Sequence, residues 1–239
     1  MHGRLSYLRQ SELMLYFFYK NLAFTLPHLY YGVICAFSGS PIYEDMYITV
    51  YNLIFTALPC LVKAVFERDL DPRDHEILKF MFPFVYYLGQ DNTIFTLYTF
   101  SLFVAEGFLH GLLLFILPIY VFQASQVHTN GQTPDFYCFS ITLYTACIIM
   151  VSLKISVYTR YWTAIHAVLL LVFSIALYFG LVFLYDLFVF NKAYQTAVFT
   201  FSLHSFYFTV LLIAGLFLVL DQALRKYNQI FKPSNEQIL

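Results

Sequence analysis

Lys20 has the most unusual setting of any ionisable residue, because it lies inside a long apolar run that begins at Leu13. A charged side chain within a membrane span is costly unless it is paired or faces water, so it is a functional candidate by default. Alternatively, its four-carbon stem carries the amine to the nearby membrane interface. Asn21 follows directly, and its amide needs a hydrogen-bonding partner on another helix. Position alone leaves both interpretations of Lys20 open.

A polar stripe occurs in the next apolar run, where Asn52 and Thr56 are four residues apart and therefore share a helix face. Pro59 follows, and a proline there removes a backbone hydrogen bond and frees the carbonyl of Phe55. Irregular backbone at membrane depth survives only where it meets protein or water, so the stripe is suited to line a substrate path. The alternative is interhelical hydrogen bonding, which Asn and Thr commonly supply.

Glu106 and His110 form a further pair with a spacing of four residues. Such a pair can carry protons in a coupled transporter, but the favoured interpretation is that neighbouring helices satisfy both side chains. No catalytic triad, glycine-rich phosphate loop or metal-ligand cluster occurs in the sequence, so no catalytic or metal residues are assigned. Other polar residues in the apolar runs receive no chemistry, and the two aspartates among them are expected at helix ends: His166, His204, Asp186 and Asp221.

The composition is that of a membrane protein. Hydrophobic residues make up 60% of the chain and charged residues 11%, against roughly 25% charged residues in an average soluble domain. Aromatic residues reach 21%, and Tyr and Trp favour membrane interfaces. The net charge of -1 argues against a nucleic-acid partner. The cysteines match no metal-ligand spacing and are expected to be buried thiols: Cys35, Cys60, Cys138 and Cys147.

Six segments contain the roughly 20 apolar residues that a bilayer-spanning helix needs. Their predicted bounds are 13–37, 47–66, 93–122, 136–156, 161–190 and 197–220. The sequence therefore predicts an all-α integral membrane protein, a bundle of about six transmembrane helices. The predicted division is a cytosolic stub at 1–12, two spans at 13–66, an interfacial loop at 67–92, a four-helix support region at 93–220 and a tail at 221–239.

Basic residues lie almost entirely on one side of these spans. With a cytosolic N-terminus, the outer connections contain only Lys192. Because Lys and Arg mark the cytoplasmic side of short loops, both termini are predicted to be cytosolic. The segment 67–92 is then a cytosolic loop, either with aromatic side chains in the interface or as a plain connection. The basic residues on the inner side are Arg4, Arg9, Lys63, Arg68, Arg73, Lys79, Lys154, Arg160, Arg225, Lys226 and Lys232.

Several closely spaced motifs resemble those of one protein family. Residues 2–9 read HGRLSYLR, residues 16–21 read YFFYKN, residues 51–59 read YNLIFTALP, residues 66–69 read FERD and residues 83–90 read PFVYYLGQ. This series is similar to the type IV P-type ATPases, the phospholipid flippases, from just before their fifth to their tenth membrane helix. The resemblance is strong over residues 1–90 and then continues mainly in helix number and loop pattern.

The resemblance implies roles for individual residues. The family's fifth-helix lysine, which handles the phospholipid headgroup or couples that site to dephosphorylation, corresponds to Lys20. The adjacent amide corresponds to Asn21 and the sixth-helix asparagine to Asn52, with Thr56 on the same face. An ammonium and two amides can bind phosphate and carboxylate oxygens while the acyl tails stay in lipid. The implied function is the membrane portion of an ATP-driven flippase that contributes these four substrate-binding residues to the headgroup path.

The family's phosphorylation motif, Asp-Lys-Thr-Gly-Thr, does not occur in these 239 residues. ATP and Mg²⁺ would be bound by the family's cytosolic domains, so this chain is not expected to hydrolyse ATP alone. The resemblance implies three kinds of partner: phospholipid, a chain or segment that carries the ATPase headpiece, and a two-span glycosylated accessory subunit. The implied location is multi-pass, in the plasma membrane or a Golgi or endosomal membrane.

Two other functions stay open from the sequence. A flippase-derived membrane half can serve as a scaffold or interaction module without transport, in which case Lys20 and Asn52 are dispensable. An autonomous secondary transporter that uses Glu106 and His110 is the weaker possibility.

Overall fold

The computed structural model describes residues 2–68, 94–123, 131–187 and 194–231, and all regular structure in these ranges is helical. The predicted all-α class is therefore confirmed. Two π-helical segments, π1 (Tyr51–Phe55) and π2 (Leu170–Ala176), interrupt two of the spans. The α-helices are α1 (His2–Ile34), α2 (Asp45–Val50), α3 (Ala57–Phe66), α4 (Leu97–Gln123), α5 (Phe136–Tyr158), α6 (Ala164–Leu169), α7 (Leu177–Asp186), α8 (Thr196–Ser202) and α9 (His204–Phe231).

Five helical stretches in the described ranges are long and apolar enough to cross a membrane. They are Asp45–Phe66, Leu97–Gln123, Phe136–Tyr158, Ala164–Asp186 and His204–Tyr227. The predicted first span lies in α1, which has 33 residues, and Lys20, Asn21 and His28 make it more polar than these five. The chain is thus a multi-pass integral membrane bundle, while the orientation of its termini stays a prediction.

Two glycines allow α1 and α4 to pack closely. A methyl group added to Gly107 would lie 3.2 Å from the Cβ of Leu22, and one added to Gly111 would lie 3.0 Å from the Cβ of Leu26. This spacing of four residues is the arrangement of small residues that lets membrane helices approach each other. The contact fixes α1, which carries Lys20, against the rest of the bundle.

Helix α5 lies at the centre of the bundle. In the most apolar 18-residue stretch of α5, 72% of the residues are buried. In the corresponding stretches of the other four spans the buried share is 18% to 33%. Helix α5 begins after Asp135, whose side chain accepts a hydrogen bond from the Phe136 amide at 2.6 Å. Tyr144 on α5 donates to the Tyr47 carbonyl at 2.8 Å and so ties α2 to the core.

The predicted span 197–220 is not a single helix. Leu203 has an extended backbone between α8 and α9, and α9 continues to Phe231. Asp186 ends α7 as expected, and its carboxylate accepts hydrogen bonds from the first amides of α8, at 3.0 Å from Ala197. The expectation that Asp221 marks a helix end is wrong, because Asp221 lies inside α9 and is buried.

The cysteines are free thiols. Cys60, Cys138 and Cys147 are buried as expected, whereas Cys35 is partly exposed. Each of the buried thiols packs within a helix, Cys60 in α3 and the other two in α5. A small hydrophobic role accounts for all three.

Candidate functional site

Lys20 lies on α1 with its side chain directed into the helical bundle. The residue is 3% exposed. Its Nζ donates to the Thr56 hydroxyl at 2.8 Å and to Asn52 Oδ1 at 3.5 Å. The Phe17 ring lies 5.3 Å from the same nitrogen. The three polar side chains predicted from two separate spans therefore converge on one point.

The hydrogen-bond directions at this site follow from the chemistry of the groups. An ammonium can only donate, so the Thr56 oxygen accepts from Lys20 and its hydroxyl proton is left to donate elsewhere. That proton goes to the Tyr51 carbonyl, 2.9 Å away. The Tyr51 hydroxyl in turn donates to the Lys20 carbonyl at 3.0 Å. These bonds form a closed loop that fixes α1 against π1.

The π-helical geometry of π1 places Thr56 in this loop. The Thr56 amide donates to the Tyr51 carbonyl at 3.2 Å, a bond across five residues instead of four. The carbonyl of Phe55, which Pro59 was predicted to free, accepts a hydrogen bond from Ser174 at 2.9 Å. Irregular backbone at this depth is thus supported by protein groups, as membrane burial requires.

Asn52 and Asn21 border the site differently. Asn52 is exposed at the outside of the bundle, and its Oδ1 faces the Lys20 amine. Asn21 is half-buried. Among the described residues, no hydrogen bond joins its side chain to Lys20, Asn52 or Thr56. The structure therefore brings together three of the four predicted substrate-binding residues, and the substrate-binding role of all four stays a prediction.

The Lys20 ammonium has no counter-charge in the described part of the chain, where no carboxylate forms an ion pair with it. Its two hydrogen-bond partners are neutral oxygens. Lys63, by contrast, pairs with Glu12 at 2.9 Å. A buried cation that only neutral groups solvate is costly and attracts an anion.

A second buried lysine, Lys154 on α5, was assigned from the sequence to the inner end of a helix. In the structure it lies four residues before the end of α5 and has no exposed surface. Its Nζ pairs with Glu106 Oε2 at 2.6 Å and also with Asp221 Oδ1. Asp221 Oδ2 lies 3.0 Å from Arg225 Nε. This group, the Lys154 cluster (Glu106, Lys154, Asp221 and Arg225), joins α4, α5 and α9.

Tyr19 connects the two lysines, because it precedes Lys20 on α1 and faces the other cluster. The Lys154 Nζ lies 4.9 Å from the centre of the Tyr19 ring, a cation–π distance. The Tyr19 hydroxyl and His110 Nδ1 are 2.9 Å apart. Neighbouring helices therefore pair Glu106 and one nitrogen of His110, the interpretation that the sequence favoured, whereas His110 Nε2 is buried without a hydrogen-bond partner among the described residues.

A third polar group lies at the predicted cytosolic end. Arg9 donates to the Glu67 carbonyl at 2.8 Å, and Glu67 Oε1 accepts from the Arg160 amide at 2.8 Å. Glu12 pairs with both Lys63 and Arg160, at 2.9 Å and 3.3 Å. Residues 69–92 of the predicted interfacial loop, with Arg73 and Lys79, lie outside the described ranges, as do Lys192 and Lys232.

Among the described residues, no group of three His, Cys, Asp or Glu side chains is arranged to hold a metal ion. The groups around the Lys20 amine offer hydrogen bonding and charge. They comprise one ammonium, one amide and one hydroxyl where α1 meets π1 and α3.

Comparison with known proteins decides the family. Residues 1–234 match the family described as Phospholipid-translocating P-type ATPase C-terminal. The chain belongs to this family. The match extends far beyond the first 90 residues that carried the resemblance in the sequence, and includes the spans that hold the Lys154 cluster.

Individual relatives agree with the family. The chain is 38% identical over 184 residues to Phospholipid-transporting ATPase ID of Mus musculus, covering 77% of this chain and 15% of the relative. It is 36% identical over 184 residues to Phospholipid-transporting ATPase IC of Homo sapiens, covering 77% and 14%. Phospholipid-transporting ATPase IC of Xenopus tropicalis is 35% identical over 183 residues, covering 77% and 14%. The matched region thus spans about one seventh of each relative's length.

Proposed function

We propose that this chain is the membrane portion of an ATP-driven phospholipid flippase and that Lys20, Asn52 and Thr56 contribute to the path of the lipid headgroup. The observation that carries the proposal is the buried Lys20 ammonium, which only neutral oxygens solvate. A charge held in this way within a membrane bundle is a functional candidate, because a purely structural lysine would be paired. The relatives' names, which describe phospholipid-transporting ATPases, give the anion that would complete it.

The headgroup phosphate suits this arrangement. Since Asn52 Oδ1 faces Lys20, the amide NH₂ of Asn52 points away from the lysine and is available as a donor on the exposed side of the bundle. A phosphate oxygen that approaches there meets the Asn52 amide first and the Lys20 ammonium next, and hydrogen bonds to a charged group are the stronger kind. Asn21, half-buried beside Lys20, is retained as a further headgroup contact.

The energy for transport has to come from elsewhere in the assembly. A chain or segment with the ATPase headpiece would bind ATP and Mg²⁺, and a two-span glycosylated accessory subunit would complete the complex in the plasma membrane or a Golgi or endosomal membrane. Two observations test this part: an open reading frame upstream of Met1 that encodes the phosphorylation motif, or co-purification of a chain that contains it. Repeated failure to find either would contradict it.

The site itself is tested by ATP-dependent transfer of a fluorescent phospholipid in reconstituted vesicles, with the headpiece present. We expect Lys20→Ala to reduce the transfer rate about tenfold or more, the size of one lost charge-assisted hydrogen bond. Lys226→Ala is the matched control, because it removes an exposed lysine from α9 and should leave transfer unchanged. Wild-type transfer by Lys20→Ala would contradict the headgroup role and favour a scaffold that does not transport.

A further inference from the structure

We propose that Ser174 is a positioning residue for the headgroup site and acts through the backbone of π1. Ser174 lies on π2, 119 residues away from its partner along the chain, and is 1% exposed. Its hydroxyl donates to the Phe55 carbonyl at 2.9 Å. Nothing in the sequence motifs points to it, since a serine in an apolar span has no chemistry of its own.

The Phe55 carbonyl needs this donor because of Pro59. In a regular helix the amide four residues later would donate to this carbonyl, and proline has no amide hydrogen. Phe55 is buried, so water is not a ready substitute. A buried carbonyl that loses its partner bears the full desolvation penalty, and the backbone of π1 would be expected to turn toward another donor.

The conformation of π1 decides where Thr56 lies. The Tyr51 carbonyl accepts both the amide and the hydroxyl of Thr56, at 3.2 Å and 2.9 Å. Adding or removing one residue per turn rotates the following residues by about 100° about the helix axis. If π1 relaxed toward a regular helix, the Thr56 oxygen would therefore leave its position 2.8 Å from the Lys20 amine.

Ser174 does not contact Lys20, Asn52 or Thr56 through a hydrogen bond, so its effect on the headgroup would be indirect. The inference rests on the proposed function. It predicts that loss of the Ser174 hydroxyl weakens lipid binding while leaving the use of ATP intact. The apparent KM for phospholipid should rise about three- to tenfold, the effect of one net hydrogen bond, and the KM for ATP should not change.

Ser140 provides a matched control. It is also buried, at 2% exposed, and its hydroxyl also donates to the carbonyl of a distant residue, Ile42, at 2.5 Å. Ser140→Ala and Ser174→Ala each remove one buried bond of the same type. Only Ser174→Ala removes the donor to a carbonyl in π1. A loss of stability alone would therefore appear in both variants, whereas an effect on the lipid KM that acts through π1 would appear only in Ser174→Ala.

The experiment compares the two variants in the reconstituted protein with its headpiece, by thermal unfolding and by phospholipid transfer over a range of lipid concentrations. Both variants should unfold at lower temperature, but only Ser174→Ala should raise the lipid KM. Ser174→Cys, which keeps the volume and a weak donor, should give an intermediate KM. Equal KM values for Ser174→Ala and Ser140→Ala would overturn the proposal, provided that Lys20→Ala reduces transfer as expected. Unchanged transfer by Lys20→Ala would instead overturn the headgroup role itself.

Discussion

The two buried lysines, Lys20 and Lys154, have opposite surroundings. Lys154 has no exposed surface and pairs with two carboxylates, Glu106 and Asp221. Lys20 is almost as buried, at 3% exposed, and hydrogen bonds only to neutral oxygens. A buried charge is costly unless it is compensated. Two carboxylates compensate Lys154, whereas Lys20 has no carboxylate partner among the described residues.

The enclosure of the two amines differs in the same way. Aromatic rings surround the Lys154 amine, with the Tyr158 ring centre 4.7 Å away and the Phe103 ring centre 5.4 Å away. The Lys20 amine borders Asn52, which is exposed. One side of the Lys20 amine is therefore next to an exposed residue of the described bundle, whereas packed rings and carboxylates surround Lys154. Burial alone does not distinguish the two lysines; the lack of a counter-charge among the described residues and the exposed neighbour Asn52 do.

The largest effect is expected for Lys154→Ala. This change leaves Glu106 and Asp221 buried beside an empty space, and breaking a buried ion pair from one side costs about 3–5 kcal/mol. Unfolding of the purified protein in detergent measures the loss. Lys226→Ala, at an exposed position on α9, should change the free energy of unfolding by less than about 0.5 kcal/mol. A similar small change for Lys154→Ala would show that the cluster does not hold α4, α5 and α9 together.

A smaller effect separates the two carboxylates of the Lys154 cluster. Asp221 is 1% exposed in its side chain and binds both Lys154 and Arg225, whereas Glu106 is 11% exposed and binds Lys154. We expect Asp221→Asn to lower the free energy of unfolding by about 2–3 kcal/mol and Glu106→Gln by about 1 kcal/mol. Equal losses would contradict the central place given to Asp221.

Part of this arrangement follows from the sequence. Lys20 is conspicuous because a charge interrupts an apolar run, and the spacing of Asn52 and Thr56 sets both on one helix face. Their assignment to one site came only from the family resemblance, because helix spacing does not say which residues of two different spans meet. The Lys154 cluster could not be predicted, because Glu106 and Asp221 lie 48 and 67 residues from Lys154 along the chain. Only four residues separate Lys154 from the end of α5, so local position favoured a cytosolic helix end.

The break between α8 and α9 could not be predicted from the sequence either. No Pro or Gly lies next to the break at Leu203, so hydropathy predicted one span where the structure has α8 and α9. Helix α8 is held in place by the carboxylate of Asp186 at the end of α7, which accepts hydrogen bonds from the amides of Ala197 and Val198. The freed carbonyl of Phe55 could be predicted from Pro59, but its donor, Ser174, could not.

The smallest effects come from two tyrosine hydroxyls, one in each region. Tyr19→Phe removes the bond to His110, and Tyr51→Phe removes the bond to the Lys20 carbonyl. Each should lower the free energy of unfolding by about 1 kcal/mol. Only Tyr51→Phe should also raise the KM for phospholipid, because only Tyr51 belongs to the hydrogen-bonded loop at the headgroup site. A raised lipid KM in Tyr19→Phe alone would reverse the assignment of the two regions.

The most direct test of the difference between the lysines is Lys20→Met, measured for ATP-dependent phospholipid transfer and for thermal unfolding in one preparation. Methionine keeps most of the apolar volume and removes a charge that has no carboxylate partner in the described chain. Replacing a buried charge with an apolar side chain of similar volume is often neutral or stabilising. We predict that transfer falls about tenfold or more while the unfolding temperature stays the same or rises. Wild-type transfer, or unfolding at a clearly lower temperature, would contradict the account.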